Sequence, residues 1–138
     1  MNSLAQKWIQ QYQLEAHPEG GYFKETLKAE ESIKPTHRLE RTLYTSILFC
    51  LHDDAVSHFH RLQSDEIWIF QAGDPLEIVC IDKSGRLEVI KLGLDDDCVP
   101  QAVVQAGIIF GSFVPSHQAS LVACIFFSGF FYQEVELF

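Results

Sequence analysis

The chain has 138 residues, with 10 Lys+Arg against 19 Asp+Glu and a formal charge of −9. That length is one domain, large enough to bury a real core, and 47% hydrophobic residues argue against disorder. The acidic balance argues against nucleic acid and membrane surfaces as partners, since both are held by clustered Lys and Arg.

The first predicted element is a helix over about 3–15, capped by Asn2 or Ser3, with Leu4, Trp8, Ile9 and Tyr12 at helical spacing. It stops near His17-Pro18-Glu19-Gly20-Gly21, where Pro18 disfavours helix and two glycines permit a tight reversal. His17 and Glu19 read first as surface turn residues, and second as residues at a cavity mouth. The period then becomes that of strands. Tyr22–Lys28 is a strand, 29–39 an exposed loop and Thr42–Leu51 a long apolar strand. Ser57–Leu62 and Glu66–Gln71 are split by 63–65, and the second ends in a turn at 72–75. Leu76–Ile81 and Arg86–Leu92 form a hairpin about the turn at 82–85. Asp95-Asp96-Asp97 is a solvated loop. Gln101–Gln105, Ile108–Val114, Leu121–Phe127 and Phe131–Leu137 complete the set.

Eleven Phe against one Met suit pleated surfaces better than helices. Short strands at intervals of 8–12 residues predict an all-β sandwich or barrel, best met by a jelly roll over about 20–138 behind a short N-terminal helix. One domain spans 1–138. The cysteines, Cys50, Cys80, Cys98 and Cys124, have no C-x-x-C spacing, and three sit in apolar runs as small buried hydrophobes. No apolar run spans a membrane and the first residues do not read as a secretory signal, so a cytoplasmic location is expected.

The densest chemistry lies in Ser57 to Trp68. His58 and His60, two apart, share a strand face by simple alternation, and a short turn brings Glu66 beside them. Two imidazoles and a carboxylate are a candidate site for Fe, Mn, Ni or Zn. The alternative is that Phe59 fills the core and both histidines face solvent. Without a metal, His60 and Glu66 in an apolar cavity form a candidate proton-transfer pair. Trp68, Phe70 and Phe110 are candidates to stack on a ligand, or else plain core. Arg41 enters an apolar strand and, with Arg61 flanking the same region, is either an anion clamp for a phosphate or carboxylate or salt-bridged to Glu25, Asp65 or Glu66.

The run His58-x-His60-x5-Glu66-x6-Gly73 resembles the first motif of the cupin superfamily, with a gap of five before the Glu where three or four is usual. The second motif, Pro-x-Gly-x-x-His, is matched by Gln105-Ala106-Gly107-Ile108-Ile109-Phe110, so Phe110 stands at the fourth metal ligand. HPEGGYF at 17–23, Arg41, and SDEIW at 64–68 resemble a small cupin family of unknown function, related in fold to the dTDP-sugar 3,5-epimerases. The resemblance implies a double-stranded β-helix and a homodimer. It also implies epimerase-like chemistry with His as base and a Tyr, here Tyr22 or Tyr44, as acid.

Three functions compete. The first is proton transfer, as by an isomerase or epimerase, on a small sugar-like metabolite or a nucleotide-sugar held by His60, Glu66, Arg41, Tyr44, Trp68, Phe70 and Phe110. The second is a metal-dependent enzyme of oxygenase type using His58, His60 and Glu66. The third is a non-catalytic small-molecule binding module.

Overall fold

The structure, a computed structural model, describes residues 1–34, 39–130 and 134–138. The Asn2 side chain accepts from the backbone N–H groups of Leu4 and Ala5 and starts helix α1, Ser3–Tyr12. Gln13 ends the helix in a left-handed conformation, φ 56°. The helix is thus shorter than predicted, and Glu15–Ala16 form a strand, β1, paired with β2 (Tyr22–Lys28). Ala5 and Trp8 are buried and close a small cluster with Leu14, Cys50, Ala119 and Leu121 on the outside of the sheet.

Beyond β2 come β3 (Ser32–Ile33), β4 (Arg41–Thr42), β5 (Tyr44–His52), β6 (Val56–Arg61), β7 (Asp65–Gly73), β8 (Leu76–Ile81) and β9 (Leu87–Leu92). After them run β10 (Gln101–Val104), β11 (Ile109–Phe113), β12 (Ala119–Phe127) and β13 (Glu136–Leu137). They build a six-stranded sheet in the order β1-β2-β5-β12-β7-β10, a five-stranded sheet in the order β13-β6-β11-β8-β9, and the small pair β3-β4. Every pairing between these strands is antiparallel. Apart from the consecutive pairs β1-β2, β3-β4 and β8-β9, sheet neighbours are distant in sequence, which is the jelly-roll signature expected from the strand spacing.

Ile47, Phe49 and Leu51 of β5, Trp68 of β7, Ile78 and Cys80 of β8, Phe110 of β11 and Val122, Cys124 and Phe126 of β12 face inward as one core. The period-2 alternation of strands places them there. Cys50, Cys80 and Cys124 are buried free thiols.

Beyond the shorter helix and shifts of one or two residues at strand ends, the sequence reading is corrected at several places. The expected strand at 42–51 divides into β4 and β5, and the loop at 29–39 contains β3. Ala72-Gly73 extends β7 instead of turning. Of the expected strand Phe131–Leu137, 131–133 lie outside the described residues, and strand pairing is seen at Glu136–Leu137.

Candidate functional site

β6 and β7 are not a hairpin. After Arg61 the chain crosses from the five-stranded to the six-stranded sheet, so His60 and Glu66 sit on opposite walls of the sandwich. Both are buried, at 8% and 4% exposure.

The two histidines do not share a face. On β11, Phe110 lies opposite His60 and Ser112 opposite Ser57, so three steps of β6 match two steps of β11. The extra residue is a β-bulge, and it turns the strand over. Ser57 and His60 therefore point inward, while His58 and Phe59 are exposed. This corrects the expected grouping of His58, His60 and Glu66. Phe110 stands at the position of the fourth cupin ligand, and among the described residues no three His, Cys, Asp or Glu side chains are placed to hold a metal ion. The described residues do not fit a bound divalent metal.

The space inside is lined by His17, Glu19, Ile47, Phe49, Ser57, His60, Glu66, Trp68, Cys124, Phe126 and Phe130. It encloses about 20 Å³, enough for one water molecule. It continues into a mouth of about 150 Å³ that adds Pro18 and Phe23, with His17, Glu19, Ile47, Phe126 and Phe130 shared by both. A larger groove, about 480 Å³, lies at the open edge between β9 and β10. Its charged residues Arg86 and Glu88 face solvent, and it holds none of the buried unpartnered polar atoms described below.

Glu19 is the residue that the sequence reading placed on the surface, and it is 2% exposed. The reason lies in the two glycines. Gly20 has φ 111°, and a Cβ there would overlap the Val56 carbonyl; Gly21 has φ 79° against Phe49 and Leu51. Only glycines let the turn press this close to β5 and β6. The turn is held by His17 N–H donating to the Gly21 carbonyl at 2.8 Å and by His58 N–H donating to the Glu19 carbonyl at 2.8 Å. A left-handed pair of glycines directly after a carboxylate was the signal in HPEGGYF for a plug into the barrel end.

Hydrogen bonding fixes the state of His60. Its Nδ1 lies 2.7 Å from the His58 carbonyl, which can only accept, so Nδ1 carries a proton and Nε2 is left for the cavity. Burial lowers its pKa more than the His58 carbonyl and the Glu19 carboxylate raise it, so the ring is neutral at pH 7. Burial pushes Glu66 the other way, to about 8, against a lowering contribution from its hydrogen bond with Cys124. Glu66 is then a neutral acid at pH 7, and its Oε1 has no partner in the protein.

Glu19 is pushed up by burial, but the His17 hydrogen bond and the nearby imidazoles outweigh this and hold it below its ordinary value. Its Oε2 makes an ion-pair contact of 2.6 Å with His17 Nδ1, Oε1 makes none, and both oxygens are buried. Trp68 Nε1 is a buried donor without an acceptor. Phe110 packs on His60 at 4.3 Å and on Trp68 at 6.3 Å, a buttress behind both.

The remaining expected ligand residues are not brought to the cavity. Phe70 is partly buried and packs against the core. Tyr44 lies on the outer face of the six-stranded sheet against Phe127, and Tyr22 stacks on His52 beside the helix cluster. Neither Tyr is placed as an acid. Arg41 is paired with Glu134, a partner the sequence reading did not name, and also donates to the Leu39 carbonyl at 3.2 Å. Arg61 is outside, bridged to Glu136 at 2.6 Å.

Among solved structures, the chain is similar to protein SO0799 of Shewanella oneidensis, with 39% identity and a TM-score of 0.90 over 100% of this chain and 85% of that one. A hypothetical protein from Leishmania major matches with 34% identity and a TM-score of 0.92 over 97% and 86%. An oxalate decarboxylase of Bacillus subtilis matches in fold alone, with 16% identity and a TM-score of 0.65 over 88% of this chain and 29% of that one. The uncharacterized protein YML079W of Saccharomyces cerevisiae is 32% identical over 125 residues, and the chain spans 62% of its length. The family described as Cupin superfamily (DUF985) matches residues 6–138, and the chain belongs to it.

Proposed function

We propose that the cavity performs proton transfer on a small sugar-like hydroxycarbonyl metabolite, with His60 as base and Glu66 as acid. One observation carries the reading: the two walls present a lone pair and a proton to the same space. Nε2 of neutral His60 is free of the backbone, and the neutral Glu66 carboxyl has its Oε1 unpartnered. Pairs of titratable groups whose environments push their pKa values apart are how a fold assigns base and acid.

In the step, Nε2 takes the proton from the carbon next to the carbonyl, and Glu66 gives its proton to the carbonyl oxygen, forming an enediol. The reverse pair of transfers, to the other face or to the neighbouring carbon, completes epimerisation or isomerisation. Glu19 is close enough for its carboxylate to favour the imidazolium that forms. Trp68 Nε1 can donate to the developing oxyanion.

The inner space of about 20 Å³ takes only the reacting atoms, and the body of the substrate lies in the mouth of about 150 Å³, so the substrate is small. Drug-sized ligands occupy about 300–1,000 Å³, so the nucleotide of a nucleotide-sugar would lie outside the described mouth. We also propose a homodimer. It is supported by exposed Phe59, Leu87 and Val89 on the outer face of the five-stranded sheet. Light scattering is expected to give twice the 15.7 kDa chain mass; a clean monomer refutes that part.

The test of the reaction is proton exchange. Glyceraldehyde, dihydroxyacetone and hydroxyacetone incubated in deuterium oxide are expected to lose their α-proton signal faster with the protein than without it. His60→Gln and Glu66→Gln are each expected to slow this by about 10²-fold or more. No acceleration across such a panel, or a Glu66→Gln protein as active as the wild type, refutes the reading.

A further inference from the structure

The polar lining of the cavity is unbalanced. Oε1 of Glu19 and Oε1 of Glu66 are buried with no partner, and both side chains are more than nine-tenths buried. Glu66, neutral at pH 7, and Trp68 Nε1 each hold a proton for a ligand oxygen, whereas Glu19, held ionised, takes a donor from the ligand. Among the described residues, no Lys or Arg lines the cavity or its mouth, and Arg41, in the neighbouring pocket, is engaged with Glu134. A buried carboxylate left half-paired costs folding free energy, and it does so less once a donor reaches it.

The walls point to the same ligand. Phe23, Phe126 and Phe130 surround the mouth above Glu19, and Phe49 and Trp68 stand deeper. A carboxylate floor under aromatic rings suits an organic ammonium, whose charge is held by the carboxylate and whose C–H groups lie on ring faces. A carboxylate or phosphate would instead meet the ionised Glu19 carboxylate and no Lys or Arg. The charge of −9 on the whole chain repels anions from the entrance as well.

We propose that the cavity selects small cationic α-ammonium carbonyl compounds, the ammonium on Glu19 and the carbonyl oxygen between Trp68 Nε1 and Glu66. The mouth of about 150 Å³ limits the body to about the size of a benzene ring. The inference rests on the cavity being the site of the proposed proton transfer and narrows its substrate: the group beside the carbonyl is an ammonium in place of one hydroxyl of the sugar-like metabolite. Glu19 thereby gains a role as the specificity-determining residue.

Three molecules on one three-carbon frame test it: aminoacetone, hydroxyacetone and pyruvate, which are a cation, a neutral molecule and an anion. Each is titrated into the isotope-labelled full chain at neutral pH and followed by NMR shifts of the cavity residues. Aminoacetone is expected to bind at least about ten-fold more tightly than hydroxyacetone, with pyruvate weakest, and Glu19→Gln is expected to erase the first difference. Absence of aminoacetone binding, equal binding of the first two, or pyruvate binding best overturns the inference, and these readings need only the wild-type chain. A preference that survives in folded Glu19→Gln overturns it too. Proton exchange is read separately. Glu19-dependent binding without exchange refutes the proton-transfer reading and leaves the ligand class standing. Exchange of hydroxyacetone with no preference for the cation does the opposite.

Discussion

Replacing Glu66 by Gln removes one titration and little else. The two side chains have nearly the same shape, and the amide, like the protonated carboxyl, can accept from Cys124 and donate into the cavity. In the wild type the carboxyl titrates at about 8 in the folded chain, raised by burial from an ordinary value of 4.5. A raised acid is held protonated by the fold, so the folded state binds more protons than the unfolded one between those two values. Stability therefore falls as pH rises through this window, by up to about 1.4 kcal/mol per pH unit. Below pH 4.5 both states are protonated and the group contributes nothing; above 8 the full penalty is present. Between pH 5 and pH 9 the two-state relation gives a loss of about 4 kcal/mol from Glu66 alone. Glu66→Gln does not suffer it. Urea unfolding of both proteins at pH 5, 6, 7, 8 and 9 reads the difference, with the m-value watched for constancy. The variant is expected to match the wild type near pH 5 and to exceed it by several kcal/mol at pH 9. A difference that is flat with pH would falsify the neutral-acid assignment.

The same protonation states predict a bell-shaped exchange rate, lost above about 8 as Glu66 ionises and lost in acid as His60 gains its proton; a rate that keeps rising to pH 10 contradicts it. His58→Ala is expected to leave exchange unchanged and to shift stability by less than about 0.5 kcal/mol, because the side chain is exposed. Gly20→Ala is expected to cost about 2–4 kcal/mol, since a Cβ at φ 111° meets the Val56 carbonyl, and thermal unfolding measures it. Arg41→Met removes a buried charge from beside Glu134, and a loss of about 3 kcal/mol in urea unfolding is expected; a loss under 1 kcal/mol counts against the buried bridge.

Strands whose inward residues are apolar were legible because burial imposes a period of two. Tyr22–Lys28 and Leu76–Ile81 match their predicted ends, and Val56–Arg61 and Ile109–Phe113 do so within a residue or so. The pairing was not legible. Ser57–Leu62 followed by Glu66–Gln71 reads like a hairpin, yet a three-residue link serves equally well to cross between sheets, and no local residue distinguishes the two. Which sheet a strand joins depends on partners such as β11 and β12, some fifty residues away.

At the site, the rule that residues two apart share a face holds only while the ladder keeps step. One extra residue in β6 breaks it between Ser57 and His60, and the consequence is chemical. With His58 inward, His60 would have a second imidazole beside it and Glu66 opposite, which is a metal-binding set. With the bulge, the His58 carbonyl instead receives the Nδ1 proton of His60, and the His58 amide is captured by the Glu19 carbonyl. The same distortion that removes a ligand thus fixes the tautomer of the base and anchors the turn that delivers Glu19. A bulge needs a second strand to be seen, and the turn that engages it lies about forty residues earlier in the chain. His60, Glu66 and Trp68 could be named from the sequence because their motif is compact. Glu19 could not, because its burial is a property of Gly20 resting on Val56.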